Sequence, residues 1–323
     1  MNKLLIVGCG ELGSRFLQAA CATNEFSIIE IVEPNNYAID IAKQRVFEIL
    51  NSESKVKLVF LNNFTQISSC GDIAIIATQA DTREEVFIEV VKLGYKLIII
   101  EKIVTQSIIQ YQNMLELATL NNVKVWVNCK TRCYPIWKYI KSKINKNDNL
   151  KMYSMGGNHG LCTNGIHTID LFIFLSEVDE LFVKNINIDN EIIKTKRNKY
   201  DTSGSLSLYK NNKTISLEYE KNHLQMPIEI VITDNYKWII DNSTKQAFEI
   251  CFKEENKYFE IPYEGDLSVS FMSKLFLIDI LKYSKCELPT LDDCFLAHKI
   301  IFETMLPYFK KHINPDSNLC PIT

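Results

Sequence analysis

At 323 residues, 46% of them hydrophobic, the chain is long for one compact domain and comfortable for two. Its 36 basic and 39 acidic residues leave a formal charge of −3, which provides no general field for nucleic acid or an anionic membrane surface. Apolar runs fall far short of bilayer length and the ten cysteines are scattered without a C-x-x-C pair, so a cytoplasmic protein with reduced thiols and a small-molecule partner is expected, bound neither to nucleic acid nor to membrane.

The first element is a short apolar strand, "KLLIV", followed by Gly8-Cys9-Gly10-Glu11-Leu12-Gly13 and then by apolar residues at helical spacing, Leu12, Phe16, Leu17 and Ala20. Gly8 permits a tight turn, Gly10 lets backbone approach a pyrophosphate, and Gly13 lets the helix pack close to the strand, so that the helix N-terminus around Glu11 and Leu12 faces phosphate. This G-x-G-x-x-G pattern is weak alone. A second apolar strand, "SIIEIVEP", ends in Glu33, 20 residues beyond Gly13, where a dinucleotide fold sets the acid that hydrogen-bonds the adenosine ribose. Pro34, Asn35, Asn36 and Tyr37 bring no positive charge for a 2′-phosphate, so NAD is expected ahead of NADP.

Strands "VKLVFL", "DIAIIAT", "KLIIIEK" and "VKVWVN" then alternate with helices "TREEVFIEVVKLG" and "SIIQYQNMLELATLNN". Continuously apolar strands separated by helices predict an α/β fold, with a Rossmann doubly wound parallel sheet over residues 1–128 as an NAD-binding domain. Ligands of such a sheet lie beyond the carboxyl ends of its strands, which here carry Gly8 to Gly13, Glu33, Thr78-Gln79, Glu101-Lys102 and Asn128. Residues 129–323 read differently: a helix "CYPIWKYIKSKI", the stretch "MGGNHGLCTNGIHTIDLFIFL", and seven short period-two runs from "LFVKNINI" to "YFEIPY". They predict a C-terminal α+β domain with a mainly antiparallel open sheet, for substrate binding and oligomerisation. Helices "SVSFMSKLFLIDILKYSK" and "LDDCFLAHKIIFETMLPYFKK" close the chain.

Seven of the eleven glycines lie in "GCGELG" or "GGNHGLCTNG", so a second close approach of backbone to a ligand is expected at the latter. Its polar residues lead into a helix that is apolar nearly all round, with His167 just inside and Asp170 a turn further on the same face, placed to hold the imidazole and fix its tautomer. His159 reads as a loop residue. His223, His298 and His312 have no metal-ligand spacing, and no metal is expected.

Four motifs, G-x-G-x-x-G, Glu101-Lys102, Arg132-x-x-Pro135 and "GIHTIDL" at Gly165 to Leu171, resemble in order and spacing the Gfo/Idh/MocA oxidoreductase family, named for glucose-fructose oxidoreductase, inositol dehydrogenase and MocA. The closing "LPTLDDCFLAHKI" resembles the branch found with bacterial surface-polysaccharide biosynthesis. The resemblance implies an NAD(P)-dependent dehydrogenase that moves a hydride between nicotinamide and a secondary alcohol or ketone of a sugar or nucleotide sugar. It puts Lys102 in the family's E-K-P motif and His167 in its D-x-x-x-H motif, the two groups that handle the substrate hydroxyl proton. Gly8, Gly10, Glu11, Leu12, Gly13, Glu33, Thr78, Glu101 and Lys102 are then the expected cofactor residues. Asn128, Arg132, Asn158, Thr163, Asn164 and His167 are the expected substrate residues, and a homodimer or homotetramer through the open sheet is expected.

Two departures stand out. Ile103 replaces the motif's proline, and Thr163 stands where the second motif has its aspartate. A hydroxyl cannot act as a carboxylate base near neutral pH. Either Lys102 and His167 share the proton, or turnover has been lost and the chain is a dinucleotide-binding regulator or scaffold. Reduction of an imine or amino-acid derivative is a further enzyme reading.

Overall fold

The computed structural model describes residues 2–49, 55–157, 160–195, 198–221, 225–253, 257–263 and 267–323. Its contacts divide the chain into two units, residues 1–130 with 266–293, and residues 131–265 with 294–323.

In the first unit, β1 (Asn2–Val7), β2 (Phe26–Val32), β3 (Lys57–Leu61), β4 (Ile73–Ile76), β5 (Leu97–Ile100) and β6 (Lys124–Val127) form a parallel sheet in the order β3-β2-β1-β4-β5-β6. This is the doubly wound dinucleotide-binding order, in which the connection reverses direction between β1 and β4. Leu4, Leu5, Ile6, Ile73 to Ile76 and Ile98 to Ile100 are fully buried, which explains why these strands read as unbroken apolar runs. Each such leucine or isoleucine side chain contributes about 1.5–3 kcal/mol by burial. Between the strands run α1 (Glu11–Thr23), α2 (Asn36–Phe47), α3 (Arg83–Lys92) and α4 (Ile108–Leu120).

Helix α2 is absent from the sequence reading. Its buried positions are only Ile39, Ala42 and Val46, a narrow stripe among polar residues, and its start is fixed by the Asn35 side chain accepting from the N–H groups of Tyr37 and Ala38. A late segment also joins this unit. Helix Val269–Tyr283 packs on α1 through an apolar face that includes Met272, Phe276, Leu277 and Ile280. After it, Val127 N donates to Pro289 O at 2.9 Å and Leu291 N to Val125 O at 2.9 Å, so residues 289–291 cover the open edge of β6. The sequence reading placed these residues with 129–323; backbone pairing and the face packed on α1 place them with the parallel sheet.

The second unit contains α5 (Pro135–Lys143), β7 (Leu150–Gly157), α6 (Gly165–Ser176), β8 (Phe182–Ile188), the two-stranded ribbon β9 (Ile193–Lys194) and β10 (Tyr200–Asp201), β11 (Gly204–Lys210), β12 (Lys213–Glu220), β13 (Ile228–Ile232), β14 (Tyr236–Asp241), β15 (Gln246–Cys251) and β16 (Lys257–Ile261). The helix Val269–Tyr283 of the first unit is α7, and α8 (Phe295–His312) belongs here. Eight strands form one sheet, β16-β15-β14-β13-β7-β12-β11-β8, in which β7 and β12 run parallel and the other neighbours antiparallel. Central β7 was not anticipated, because its covered positions include Ser154 beside Leu150 and Met152 and its end is glycine. Helix α6 packs on β7 and β12, with α5 and α8 against it, and this buries the nearly continuous apolar surface of α6. No disulfide joins any of the ten cysteines, and no helix among the described residues is long and apolar enough to cross a membrane.

The covered face of this sheet holds polar groups that must be satisfied internally. Tyr219 Oη lies 2.9 Å from Ser154 Oγ and 2.8 Å from Thr168 Oγ1 of α6. Opposite Ser154 in register, Glu229 is buried and accepts from Asn242 Nδ2, while Tyr263 donates to Asn242 Oδ1 at 2.8 Å. Burial raises the Glu229 carboxyl from 4.5 to about 7, against a lowering by Asn242. Between pH 4.5 and 7 the folded chain therefore keeps a proton that the unfolded chain has released, and stability falls as pH rises through that window. Glu229→Gln removes this slope and stabilises the protein at pH 8 by about 1–3 kcal/mol. Denaturation midpoints of both proteins at pH 5 and pH 8 measure it.

Candidate active site

In the first unit the sheet's backbone ladder runs one residue beyond each strand. Glu33 N donates to Leu61 O, Gly8 N to Val32 O, Ala77 N to Val7 O, Glu101 N to Ile76 O and Asn128 N to Ile100 O, all at 2.8–3.0 Å. These bonds set Glu33, Gly8, Ala77-Thr78, Glu101 and Asn128 side by side along the carboxyl edge, where an open α/β sheet receives its ligand.

The glycine turn is built by close contact. Gly8 has φ +84°, and a Cβ there would stand 2.9 Å from Thr78 N; a Cβ on Gly13 would overlap the Gly8 carbonyl oxygen. Around Gly10, by contrast, nothing lies within 4 Å of where a Cβ would be. Helix α1 begins at Glu11 with Gly10 as its cap residue, so the first-turn N–H groups of Glu11, Leu12 and Gly13, which an α-helix leaves without intrahelical acceptors, open toward this space. Glu33 is buried, and its carboxylate accepts from Cys9 N at 2.7 Å and Asn35 N at 2.9 Å, tying the glycine turn to the end of β2. Arg45 of α2 is committed to α1: it donates to Glu11 Oε2 at 2.7 Å and to Ser14 Oγ at 2.5 Å.

Further along the edge, Glu101 is buried and accepts from Asn128 Nδ2 at 2.5 Å. Burial raises its carboxyl; Asn128 and the charges of Lys102 and Arg83 oppose that. Lys102 is partly exposed, Ile103 is fully buried, and the peptide between them is cis. Thr78 Oγ1 and Asn128 Oδ1 are buried and make no hydrogen bond among the described residues. Two orphaned polar atoms on this edge, with the clearance over Gly10, fit a dinucleotide.

Sequence reasoning missed Arg83. Although it is the first residue of α3, it is buried, and its guanidinium donates to Thr78 O, to Glu101 O at 2.9 Å and to Ile103 O. It thus staples the end of β4 to the loop that carries Lys102. The available signal was a cation in the first turn of a helix, where the helix dipole disfavours it.

In the second unit the candidates cluster at the start of α6. Thr163 and Asn164 lie on the turn before it, His167 is its third residue, and all three are partly exposed while Ile166, Ile169 and Asp170 are buried. Asn158 and His159 lie outside the described residues. The Asp170 carboxylate takes a two-pronged pair from Arg132, with Nε to Oδ2 at 2.8 Å and Nη2 to Oδ1 at 2.5 Å, and Cys294 Sγ lies 3.4 Å from Oδ1. Arg132, expected at the substrate, spends its guanidinium fork tying the turn before α5 to α6. The glycine cluster differs from expectation for a related reason. The space a side chain would need is taken by protein: Pro227 at Gly156, Asp201 at Gly160 and Leu217 at Gly165. Asp201 is the second residue missed, a buried carboxylate that accepts from Thr163 Oγ1.

Strand order, glycine turn and the acid ending β2 define a dinucleotide-binding protein of Rossmann type. Residues 2–129 match the family model described as GFO_IDH_MocA, oxidoreductase family, NAD-binding Rossmann fold. No curated protein matches the chain in sequence. Among solved structures it is similar to a dehydrogenase (MviM) from Clostridium difficile, with TM-score 0.72 and 13% identity over 95% of this chain and 99% of that one. It is also similar to UDP-N-acetylglucosamine 3-dehydrogenase GnnA from Acidithiobacillus ferrooxidans, with TM-score 0.74 and 11% identity over 94% and 97% of the two chains. A third is an oxidoreductase from Agrobacterium radiobacter solved with NAD+, L-tartaric acid and magnesium, with TM-score 0.70 and 10% identity over 93% and 94%.

The Arg132–Asp170 pair yields a direct test. Asp170→Asn takes the counter-charge from a largely covered guanidinium and costs about 3–5 kcal/mol of stability. The loss is read as a lower urea midpoint at pH 7.

Proposed function

We propose that this protein is a dehydrogenase of the Gfo/Idh/MocA family that uses NAD to interconvert a secondary alcohol and a ketone on a sugar or nucleotide sugar, in the cytoplasm and in the service of surface-polysaccharide biosynthesis. The observation that carries the reading is the placement of polar, accessible Thr163, Asn164 and His167 at the head of a helix that is otherwise mostly buried. Side chains that donate and accept at such a position suit a polyhydroxylated substrate. GnnA, a fold neighbour, is a UDP-N-acetylglucosamine 3-dehydrogenase, which supports a nucleotide sugar.

NAD, when bound, supplies the hydride acceptor. The chain's own part is to bind and orient, and to move the hydroxyl proton. Lys102 of the first unit and His167 of the second are the groups proposed to take that proton, with Glu101, Asn128 and Arg83 holding the Lys102 loop. Glu33 and the first turn of α1 are proposed to hold the dinucleotide. A carboxylate at the end of β2, with Arg45 already paired to Glu11, opposes a 2′-phosphate and favours NAD over NADP.

Self-association is proposed through the uncovered face of the large sheet. Tyr153, Ile230, Ile239 and Phe248 are direct cross-strand neighbours there, each partly exposed, and edge strand β8 exposes Phe182, Val183 and Ile186. A second copy related by a two-fold axis would bury this apolar surface. Light scattering at micromolar concentration is expected to give the mass of two or four chains; a lone monomer overturns it.

The reaction is tested by following nicotinamide absorbance with a panel of sugars and nucleotide sugars. The expected result is turnover on at least one, faster with NAD than with NADP. Saturable NAD binding without redox change across the panel would favour the regulator instead. On the substrate found, Lys102→Met and His167→Asn should each reduce turnover by roughly a hundredfold while leaving NAD affinity within a few fold. Near-normal turnover in both variants removes the assigned proton roles.

A further inference from the structure

We propose that Asp201 is a positioning residue that sets the polarity with which Thr163 meets a substrate hydroxyl, an inference that rests on the dehydrogenase reading of α6. Asp201 ends β10 and is 4% exposed. Its Oδ1 accepts from Cys162 N at 2.9 Å and from Thr202 N at 2.8 Å; its Oδ2 accepts from Thr163 N at 3.3 Å and from Thr163 Oγ1. A carboxylate engaged by these donors is an acceptor only. Gly160 makes the arrangement possible, because a Cβ there would overlap the Asp201 carboxylate.

The consequence falls on the hydroxyl. Thr163 has one hydroxyl proton, and Asp201 takes it. Toward any further polar group the oxygen of Thr163 is therefore an acceptor. Asp201 is buried while Thr163 is partly exposed, so the charge reaches a ligand through the threonine, four residues ahead of His167. The position where the D-x-x-x-H motif has a carboxylate is thus backed by one from a separate strand. The chemistry this selects is a substrate that offers a donor, such as a sugar hydroxyl or amino group near the reacting carbon. The proton lost in oxidation still goes to Lys102 or His167.

Asp201→Asn reverses this polarity. The amide oxygen keeps Cys162 N and Thr202 N, and the amide N–H turns toward Thr163 Oγ1. Steady-state kinetics on the substrate found in the panel should compare the unmodified chain with Asp201→Asn, Thr163→Val and the double variant. Each single variant should raise KM about tenfold, the scale of one hydrogen bond, with kcat within threefold. The double variant should be no worse than Thr163→Val alone, because Asp201 acts through the hydroxyl that valine lacks. Penalties that add in the double variant, or an unchanged KM in Thr163→Val, overturn the proposal. Thr163→Val keeps the three backbone donors to Asp201, so it serves alone should Asp201→Asn fail to fold. Absence of turnover by the unmodified chain is the failure of the dehydrogenase reading, and it takes this inference with it; turnover with additive penalties defeats this inference only.

Discussion

The nucleotide half of this protein depends on one close approach, that of α1 to the turn leaving β1. Gly13 lies against the Gly8 carbonyl at a separation that leaves no room for a side chain, and Gly8 in turn lies against the backbone of Ala77 and Thr78. With the three segments locked, the start of α1 has no freedom to retreat from the sheet's carboxyl edge. The other ties build on that position: Glu33 reaches Cys9 N, Arg45 reaches Glu11, and α7 packs along α1.

A second theme is the use of buried charge to fix loops. Arg83 gathers carbonyls from two strand ends, Arg132 ties a turn to α6, and Asp201 gathers N–H groups from the turn ahead of α6. Arg83 and Asp201 satisfy backbone groups that irregular chain cannot satisfy by itself, while Arg132 pairs with a carboxylate of α6; burial makes the loss of such a partner expensive. Such groups suit segments that must carry functional side chains without the support of a helix or strand.

What the sequence made legible follows from the range of the forces involved. The parallel strands, the glycine turn, Glu33 and the Glu101-Lys102 pair announce themselves through local pattern, since burial on both faces demands unbroken apolar runs and close backbone contact demands glycine. The period-two runs of the second sheet are legible for the same reason. Helix α2 was hidden by a narrow apolar stripe, and β7 by a serine that bonds to Tyr219 from another strand. The partners of Asp170 and Thr163 lay further out of reach. Asp170 meets Arg132, 38 residues earlier, and Thr163 meets Asp201, 38 residues later. Helical spacing identifies which residues share a face; it does not identify what the fold brings up to that face.

The strip of chain that seals β6 has a temporal meaning. Residues 289–291 pair with the last strand of the parallel sheet, yet they emerge only after all strands of the other unit have been made. During synthesis the nascent Rossmann sheet therefore stands with one flank unsealed and α1 without its late companion α7. Contacts of such long sequence separation close slowly and leave strand edges exposed in the interval. The first unit thus begins to fold early and is completed only once residues 289–291 have been made.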